Sequence, residues 1–392
     1  MRSLQQSFAV TYAYPVHFTT HAFAPENPVL LDTLKQNAHC SDVLCVLDAG
    51  VVDADPELPE RIQAYANTHR SHMHLVCPPL VLPGGEAGKN TEDAYKTVQA
   101  AIHEHGICRQ SFVLAVGGGA FLDLVGYAAA TAHRGVRLIR MPTTVLSQDD
   151  SGVGVKNSVN AFGKKNFVGT FAPPFAVIND FAFLALLSQR DWIGGIAEAV
   201  KVALLKDPAF FEFLERHATD LVARRGNAMQ HVVHRSAELH LLHIGLGGDP
   251  FETTSSRPLD FGHWSAHKLE QMSQFALRHG EAVAIGIALD TTYSYRMGWL
   301  RERDWERVLQ LLSHLGFSLA LPRLFAALEG NGFDVLFHGL TEFREHLGGE
   351  LTITVLHGIG QPLEVHEIDA SIMKRSLEMM EELASSLLTS VA

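Results

Sequence analysis

His263 and His267 stand four positions apart in Leu259-Asp260-Phe261-Gly262-His263-Trp264-Ser265-Ala266-His267. On a helix, that spacing puts both imidazoles on one face. It lets both bind one metal ion, and it equally lets one bind while the other works as an acid or base beside it. His279, in Arg278-His279-Gly280-Glu281, lies on a separate element that the fold must bring in. Glu198, in Gly195-Ile196-Ala197-Glu198, is an isolated carboxylate well upstream. One Glu with two His is a common catalytic zinc set, because it leaves a coordination position open for substrate. The chain has 22 histidines, so most must serve other ends. His231, His234, His240 and His243 look like a metal tract but are expected to decorate helix faces.

A second group of residues suits a nucleotide. Gly117-Gly118-Gly119 follows an apolar run and lets backbone N–H groups come close to a pyrophosphate, with the dipole of the next helix behind them. A tight strand-to-helix turn would read the same way. Asp48, at a strand end, suits a ribose hydroxyl or a turn. The lysines of Asp149-Asp150-Ser151-Gly152-Val153-Gly154-Val155-Lys156-Asn157 and Gly163-Lys164-Lys165-Asn166 can hold phosphate as point charges, or stand on a solvated loop. A metal site and a nucleotide site in one chain point to redox chemistry on a hydroxylated substrate.

These groups need elements to carry them. Val43 to Leu47 is a short apolar run ending at Asp48-Ala49-Gly50, as a buried parallel strand would. His72 to Pro78, Phe112 to Val116 and Val136 to Met141 read as further strands. A helix opens at Asn90-Thr91-Glu92-Asp93 and stops at Gly106, and Leu122 to Ala132 is a small-residue helix. Strand and helix in alternation imply an open α/β sheet. After about residue 185 helical patterns dominate, with caps at Ser188 and Asp207-Pro208 and amphipathic stretches over Asp304 to Leu321 and Asp369 to Leu388. We therefore expect an α/β domain over residues 1–185 and a mostly helical domain over 186–392.

Composition narrows the partners. At 392 residues and 47% hydrophobic, the chain can build two cored domains. A net charge of −12 with 19% charged residues argues against nucleic acid. An anionic substrate then needs a local basic cluster. The four cysteines form no CxxC pair and read as buried reduced thiols. No signal-peptide pattern and no membrane-length apolar run is seen, so a soluble cytoplasmic protein is expected.

Taken together and in order, these pieces resemble the 3-dehydroquinate synthase family of sugar phosphate cyclases, from about Val43 to Gly360. The resemblance rests on Leu82-Pro83-Gly84-Gly85-Glu86-Ala87-Gly88-Lys89, Gly117 to Asp123, His133-Arg134-Gly135, Pro142-Thr143-Thr144, Asp150 to Lys156, Lys165-Asn166, Glu198 to Lys201 and the two histidine motifs. It implies a Rossmann-like NAD-binding N-terminal domain and a mostly α-helical metal-binding C-terminal domain. It implies that Asp48, Glu86, Lys89, Gly118, Gly119, Asp123, Thr143, Thr144 and Lys165 bind NAD. Glu198, His263 and His279 would bind a divalent metal, zinc first and cobalt as the alternative. Asp150, Lys156, Asn166, Lys201 and His267 would contact the substrate, and Arg134 would reach the phosphate in the neighbouring subunit of a homodimer. The implied reaction oxidises a substrate carbon with NAD, eliminates phosphate, returns the hydride and closes a carbocycle by an aldol step.

The chain departs from that family where the substrate carboxylate would sit. The usual Arg-x-x-Leu-Asn is Ser256-Arg257-Pro258-Leu259-Asp260 here. A carboxylate facing a carboxylate is repulsive by several kcal/mol when desolvated, whereas Asp260 suits a hydroxyl donor such as the hydroxymethyl end of a ketose. Leu242 stands near the place of a family lysine, and Arg344-Glu345-His346 replaces a lysine pair. These changes resemble the sedoheptulose 7-phosphate cyclases, the epi-valiolone synthases. Authentic 3-dehydroquinate synthase is the alternative, with Arg257 meeting the carboxylate. A metal-dependent polyol dehydrogenase is the alternative of another class, although it has no need for Arg134, Lys156 and Asn166.

Overall fold

The structure is a computed structural model that describes residues 3–37, 39–247, 249–253, 257–319 and 331–390. The chain forms two compact units, one of residues 1–143 with 154–186, the other of 144–153 with 187–392. The excursion of 144–153 departs from a single division near residue 185. It contains the π-helical turn Ser147–Ser151, which packs on the helix Ala228–Leu246.

The first unit is built on strands β1 (Val16–Thr19), β2 (Ser41–Asp48), β3 (Met73–Leu75), β4 (Leu80–Leu82), β5 (Phe112–Gly117), β6 (Arg137–Pro142) and β9 (Ala176–Asp180). They make one parallel sheet in the order β1-β9-β6-β5-β2-β3, with β4 also paired to β2. Side chains alternate across a strand, and here both faces find a core. Val43, Cys45 and Leu47 join Phe112, Leu114 and Val116 on one side. Leu44 and Val46 join Val113 and Ala115 on the other. That double burial is why β2 and β5 read as unbroken apolar runs. The helix Glu92–Glu104 follows the expected acidic first turn, and the helix Gly119–Thr131 covers the second face. The expected strand over His72 to Pro78 is only the three residues of β3.

Residues 156–171 are not the loop suggested by their polar sequence. They form an antiparallel hairpin of β7 (Lys156–Ala161) and β8 (Lys164–Phe171). Phe162 and Gly163 turn it at φ 54° and 72°.

The second unit is helical. Ser188 Oγ accepts from Asp191 N at its first helix, and Asp207 Oδ1 accepts from Ala209 N and Phe210 N ahead of Pro208, as the caps predicted. The helix His279–Arg296 is buried at Gly280 and at every residue from Ala282 to Ser294, so it has no solvated stripe. The helix His263–Met272 packs on it through glycines. Gly262 has φ +77°, and a Cβ there would lie 2.7 Å from Ile287 N. A Cβ on Gly286 would lie 2.0 Å from Gly262 O. Backbone therefore meets backbone, and the two histidine-bearing helices come close. The expected helix from Asp304 to Leu321 runs over Glu302–His314 and stops before Gly316 at φ 91°; residues 320 and 321 lie outside the described residues. No helix among the described residues is long and apolar enough to cross a membrane.

Candidate active site

In the first unit, Lys89 is 2% exposed and sits among acceptors. Its Nζ donates to Asp123 Oδ2 at 2.9 Å, to Ser158 Oγ at 3.0 Å and to Asn166 Oδ1. These are the three bonds an ammonium can make. Asn160 Nδ2 donates to Glu86 Oε1 at 3.0 Å, its Oδ1 accepts from Asn166 N at 2.8 Å, and Lys165 Nζ stands 3.9 Å from Glu86. Five residues singled out by sequence thus converge: Glu86, Lys89, Asp123, Lys165 and Asn166. Ser158 and Asn160 complete the network and were missed. The signal for them was period two along β7, which the polar composition disguised.

Asp48 caps the turn after β2. Its Oδ1 accepts from Gly50 N at 2.9 Å and its Oδ2 from Gly118 N at 3.5 Å. Burial pushes its carboxyl up against the opposing pull of those N–H groups. Asp48 thereby ties the turn after β2 to the glycine turn after β5. Gly119 opens its helix with no side-chain cap, leaving the first N–H groups open to an anion. Thr143 N donates to Gly117 O at 3.0 Å, and Thr144 Oγ1 pairs with Ser147 Oγ at 2.8 Å within the second unit.

Lys156 is exposed at the start of β7. Its carbonyl accepts from the fully buried Arg140, whose guanidinium also holds Gly154 O and Asn157 Oδ1 at 2.9 and 2.7 Å. Arg140 fixes where Lys156 begins; its signal was a cation flanked by Ile139 and Met141 inside β6. Arg134 is exposed on a corner where His133, Arg134 and Gly135 take φ of 51°, 62° and 118°. Such a backbone costs on the order of 1–3 kcal/mol per non-glycine residue and marks a held conformation.

In the second unit, Glu198, His263 and His279 each offer one ligand atom, all within 4.8 Å of one another. Glu198 is 1% exposed. Its two carboxylate oxygens make no well-formed hydrogen bond among the described residues. Instead Oε1 faces His263 Nε2 at 3.5 Å and His279 Nε2 at 3.2 Å, and Oε2 faces Lys201 Nζ at 2.5 Å. The far ring nitrogens are occupied: His263 Nδ1 by Phe261 O at 3.1 Å and His279 Nδ1 by Glu270 Oε2 at 3.2 Å. This is the arrangement that turns both Nε2 atoms inward toward Glu198, as metal-binding imidazoles require. The residues present therefore fit a divalent cation with N, N, O ligands.

The spacing of His263 and His267 left two uses open. His267 also groups with Glu270 and His279, but the Nδ1 of His279 is spent on Glu270, which makes Glu198, His263 and His279 the coherent set. The rings of His267 and His263 lie 5.5 Å apart, and those of His267 and His279 5.9 Å apart, so His267 borders that set. Glu270, 3% exposed, was missed; it follows His263 by seven positions on one helix face.

Charge binds the rest of this cluster. Burial would raise the carboxyl of Glu198, yet Lys201 and the two histidines hold it well below the usual range. Burial would lower Lys201, yet Glu198, Asp150 and Asp260 raise it. Asp150 is held down to about 2, burial being outweighed by Lys201 and His240. Asp149 beside it is fully buried, and its carboxyl is pushed well up by burial and by the charges of Asp150 and Glu198. His240 was expected only to decorate a helix face; its Nδ1 lies 2.9 Å from Asp150 Oδ1. Arg257 is turned to Glu252, with Nη1 3.5 Å from Oε2 and Nη2 donating to the Glu252 carbonyl at 3.2 Å. Ser256 lies outside the described residues, as does the side chain of His346.

Comparison with known proteins matches two successive stretches of the chain. The family pattern for the N-terminal part of 3-dehydroquinate synthase matches residues 79–194, and that for its C-terminal part matches residues 195–329. The 3-dehydroquinate synthase of Halorhodospira halophila is 34% identical over 332 residues, covering 82% of this chain and 90% of that protein. The 2-epi-5-epi-valiolone synthase of an Actinoplanes species is 31% identical over 382 residues, covering 96% and 92%. The solved structure of ValA, a 2-epi-5-epi-valiolone synthase from Streptomyces hygroscopicus with NAD+ and Zn2+ bound, superposes with a TM-score of 0.85 at 30% identity, covering 97% and 99%. With both parts of the pattern matched in order along one chain, this protein belongs to the 3-dehydroquinate synthase family.

Proposed function

We propose that this protein is an NAD- and metal-dependent sugar phosphate cyclase that converts sedoheptulose 7-phosphate to a valiolone-type C7 cyclitol, 2-epi-valiolone or 2-epi-5-epi-valiolone, with release of phosphate. One observation carries the choice of substrate. The short turn before the ligand helix presents the carboxylate of Asp260, which adds to the field on Lys201, while the guanidinium of Arg257 is engaged by Glu252. A substrate carboxylate would meet a like charge there, and a hydroxymethyl group would meet an acceptor. The valiolone synthases among the relatives support the same reading; the 3-dehydroquinate synthases keep that activity as the alternative.

In this reading Glu198, His263 and His279 hold the metal, with zinc first and cobalt second. Gly118, Gly119, Asp48, Glu86, Lys89, Asp123, Thr143, Thr144 and Lys165 hold the dinucleotide. When bound, NAD supplies a reversible hydride acceptor and the metal supplies Lewis acidity toward hydroxyl oxygens. Asp150 and Lys201 orient substrate hydroxyls. Lys156 neutralises the phosphate and Asn166 hydrogen-bonds it, and His267, bordering the metal set, moves a proton. The test is direct. Purified enzyme given sedoheptulose 7-phosphate should release phosphate with no build-up of NADH, since the hydride is returned in each turnover. NADH accumulating in step with product, without phosphate release, would instead identify a polyol dehydrogenase.

The exposed, strained corner at Arg134 supports a homodimer in which Arg134 of the partner subunit completes the phosphate site. Mixing inactive Arg134→Ala subunits with inactive Lys156→Ala subunits should then restore part of the activity, because one site of each hybrid keeps both cations. No recovery despite proven subunit exchange would put Arg134 in its own subunit's site.

A further inference from the structure

We infer that His240 is a positioning residue that orients Asp150 toward the substrate. The inference rests on the cyclase reading only in taking Asp150 as a substrate contact. Asp150 sits on the short π-helical turn Ser147–Ser151, which by itself leaves a terminal carboxylate free to rotate. His240 projects from the helix Ala228–Leu246 and places Nδ1 2.9 Å from Asp150 Oδ1, with 16% and 22% of the two side chains exposed. Lys201 Nζ stands 3.9 Å from the same oxygen, a charge contact too long to set direction. Lys201 is also drawn the other way, to Glu198 Oε2 at 2.5 Å. The bond that fixes Asp150 is therefore the one from His240.

Its consequence is chemical. With Oδ1 taken by His240 and Lys201, Oδ2 is the free acceptor for a substrate hydroxyl; none of the described residues hydrogen-bonds it. Without His240 the carboxylate can swing toward Lys201 and draw that ammonium away from Glu198. His240 thus keeps the order His240, Asp150, Lys201, Glu198, in which Asp150 and Lys201 each have a partner on either side.

Two variants separate orientation from simple packing. His240→Asn keeps an N–H near the position of Nδ1, and His240→Leu fills similar space without a donor. With sedoheptulose 7-phosphate, the Leu variant should raise KM about tenfold, the scale of a lost hydrogen bond to a charged group. Its kcat should fall less, and its metal and NAD content should match the parent. The Asn variant should recover most of the KM. A Leu variant with parental KM, or an Asn variant no better than Leu, overturns the inference. A second readout needs no turnover: in enzyme labelled with 15N-histidine, the His240 ring signal should move on Asp150→Asn. If the parent enzyme releases no phosphate from the ketose, the cyclase reading fails and this signal alone decides. An unmoved signal then overturns the positioning role, and a moved one supports it. The same signal decides if the Leu variant does not fold.

Discussion

A His263→Ala enzyme should purify without its divalent metal and with almost no turnover, while remaining folded. His263 brings one of the two Nε2 atoms that face Glu198 Oε1. Removing it leaves one imidazole and a carboxylate already paired with Lys201. Loss of residues that only orient a ligand costs about 10–100-fold in metal affinity, so loss of the ligand itself should exceed that. Elemental analysis against the parent measures it, with near-ultraviolet circular dichroism to check the fold. Two comparisons sharpen the result. His267→Ala should keep its metal and turn over slowly. Glu270→Gln should bind metal more weakly, because Glu270 holds His279 Nδ1 at 3.2 Å. Full metal occupancy in His263→Ala would show that the three side chains are not the ligand set.

The second large effect concerns substrate choice. The unmodified enzyme should act on sedoheptulose 7-phosphate and barely on the corresponding heptulosonate phosphate. The difference that Asp260 would meet is hydroxymethyl against carboxylate. Asp260→Asn should weaken use of the ketose by about 1–3 kcal/mol, the scale of a hydrogen bond to a charged acceptor, and should ease binding of the heptulosonate by removing the like charge. Phosphate release from each substrate, by parent and variant, gives four rates that decide the matter. Efficient dehydroquinate formation by the parent, with no action on the ketose, would mean that Arg257 leaves Glu252 and meets the carboxylate.

The electrostatics of the second unit explain why such single changes should act strongly. Glu198 and Lys201 are at most 3% exposed and stand 2.5 Å apart, and buried charges of this kind are tolerable only in mutual contact. Removing one member leaves its partner unpaired where water cannot replace it, at a cost well above that of any exposed ion pair.

Much of this protein was legible from sequence because the determinants are local. Strands buried on both faces are mostly apolar, so β2 and β5 stood out as short unbroken runs. Caps at Ser188 and Asp207 announced their helices through side chains that satisfy the first N–H groups. Spacing of four residues put His263 and His267 on one helix face, and the motifs in their order were enough for the family resemblance. The hairpin of β7 and β8 was hidden, because β8 has no buried residue and neither strand shows the apolar signature that strands usually carry. Tertiary structure alone decided the rest. Which histidine joins Glu198 depends on a second helix brought within backbone contact at Gly262 and Gly286, and on Glu270 fixing the ring that arrives. Lys89 finds Ser158 and Asn166 across 69 and 77 residues, and Asp150 finds His240 across 90. A residue's type and its near neighbours set the face it occupies and the bonds it can make. Which distant side chain fills those bonds is set by how the elements pack, and no spacing along the chain encodes that.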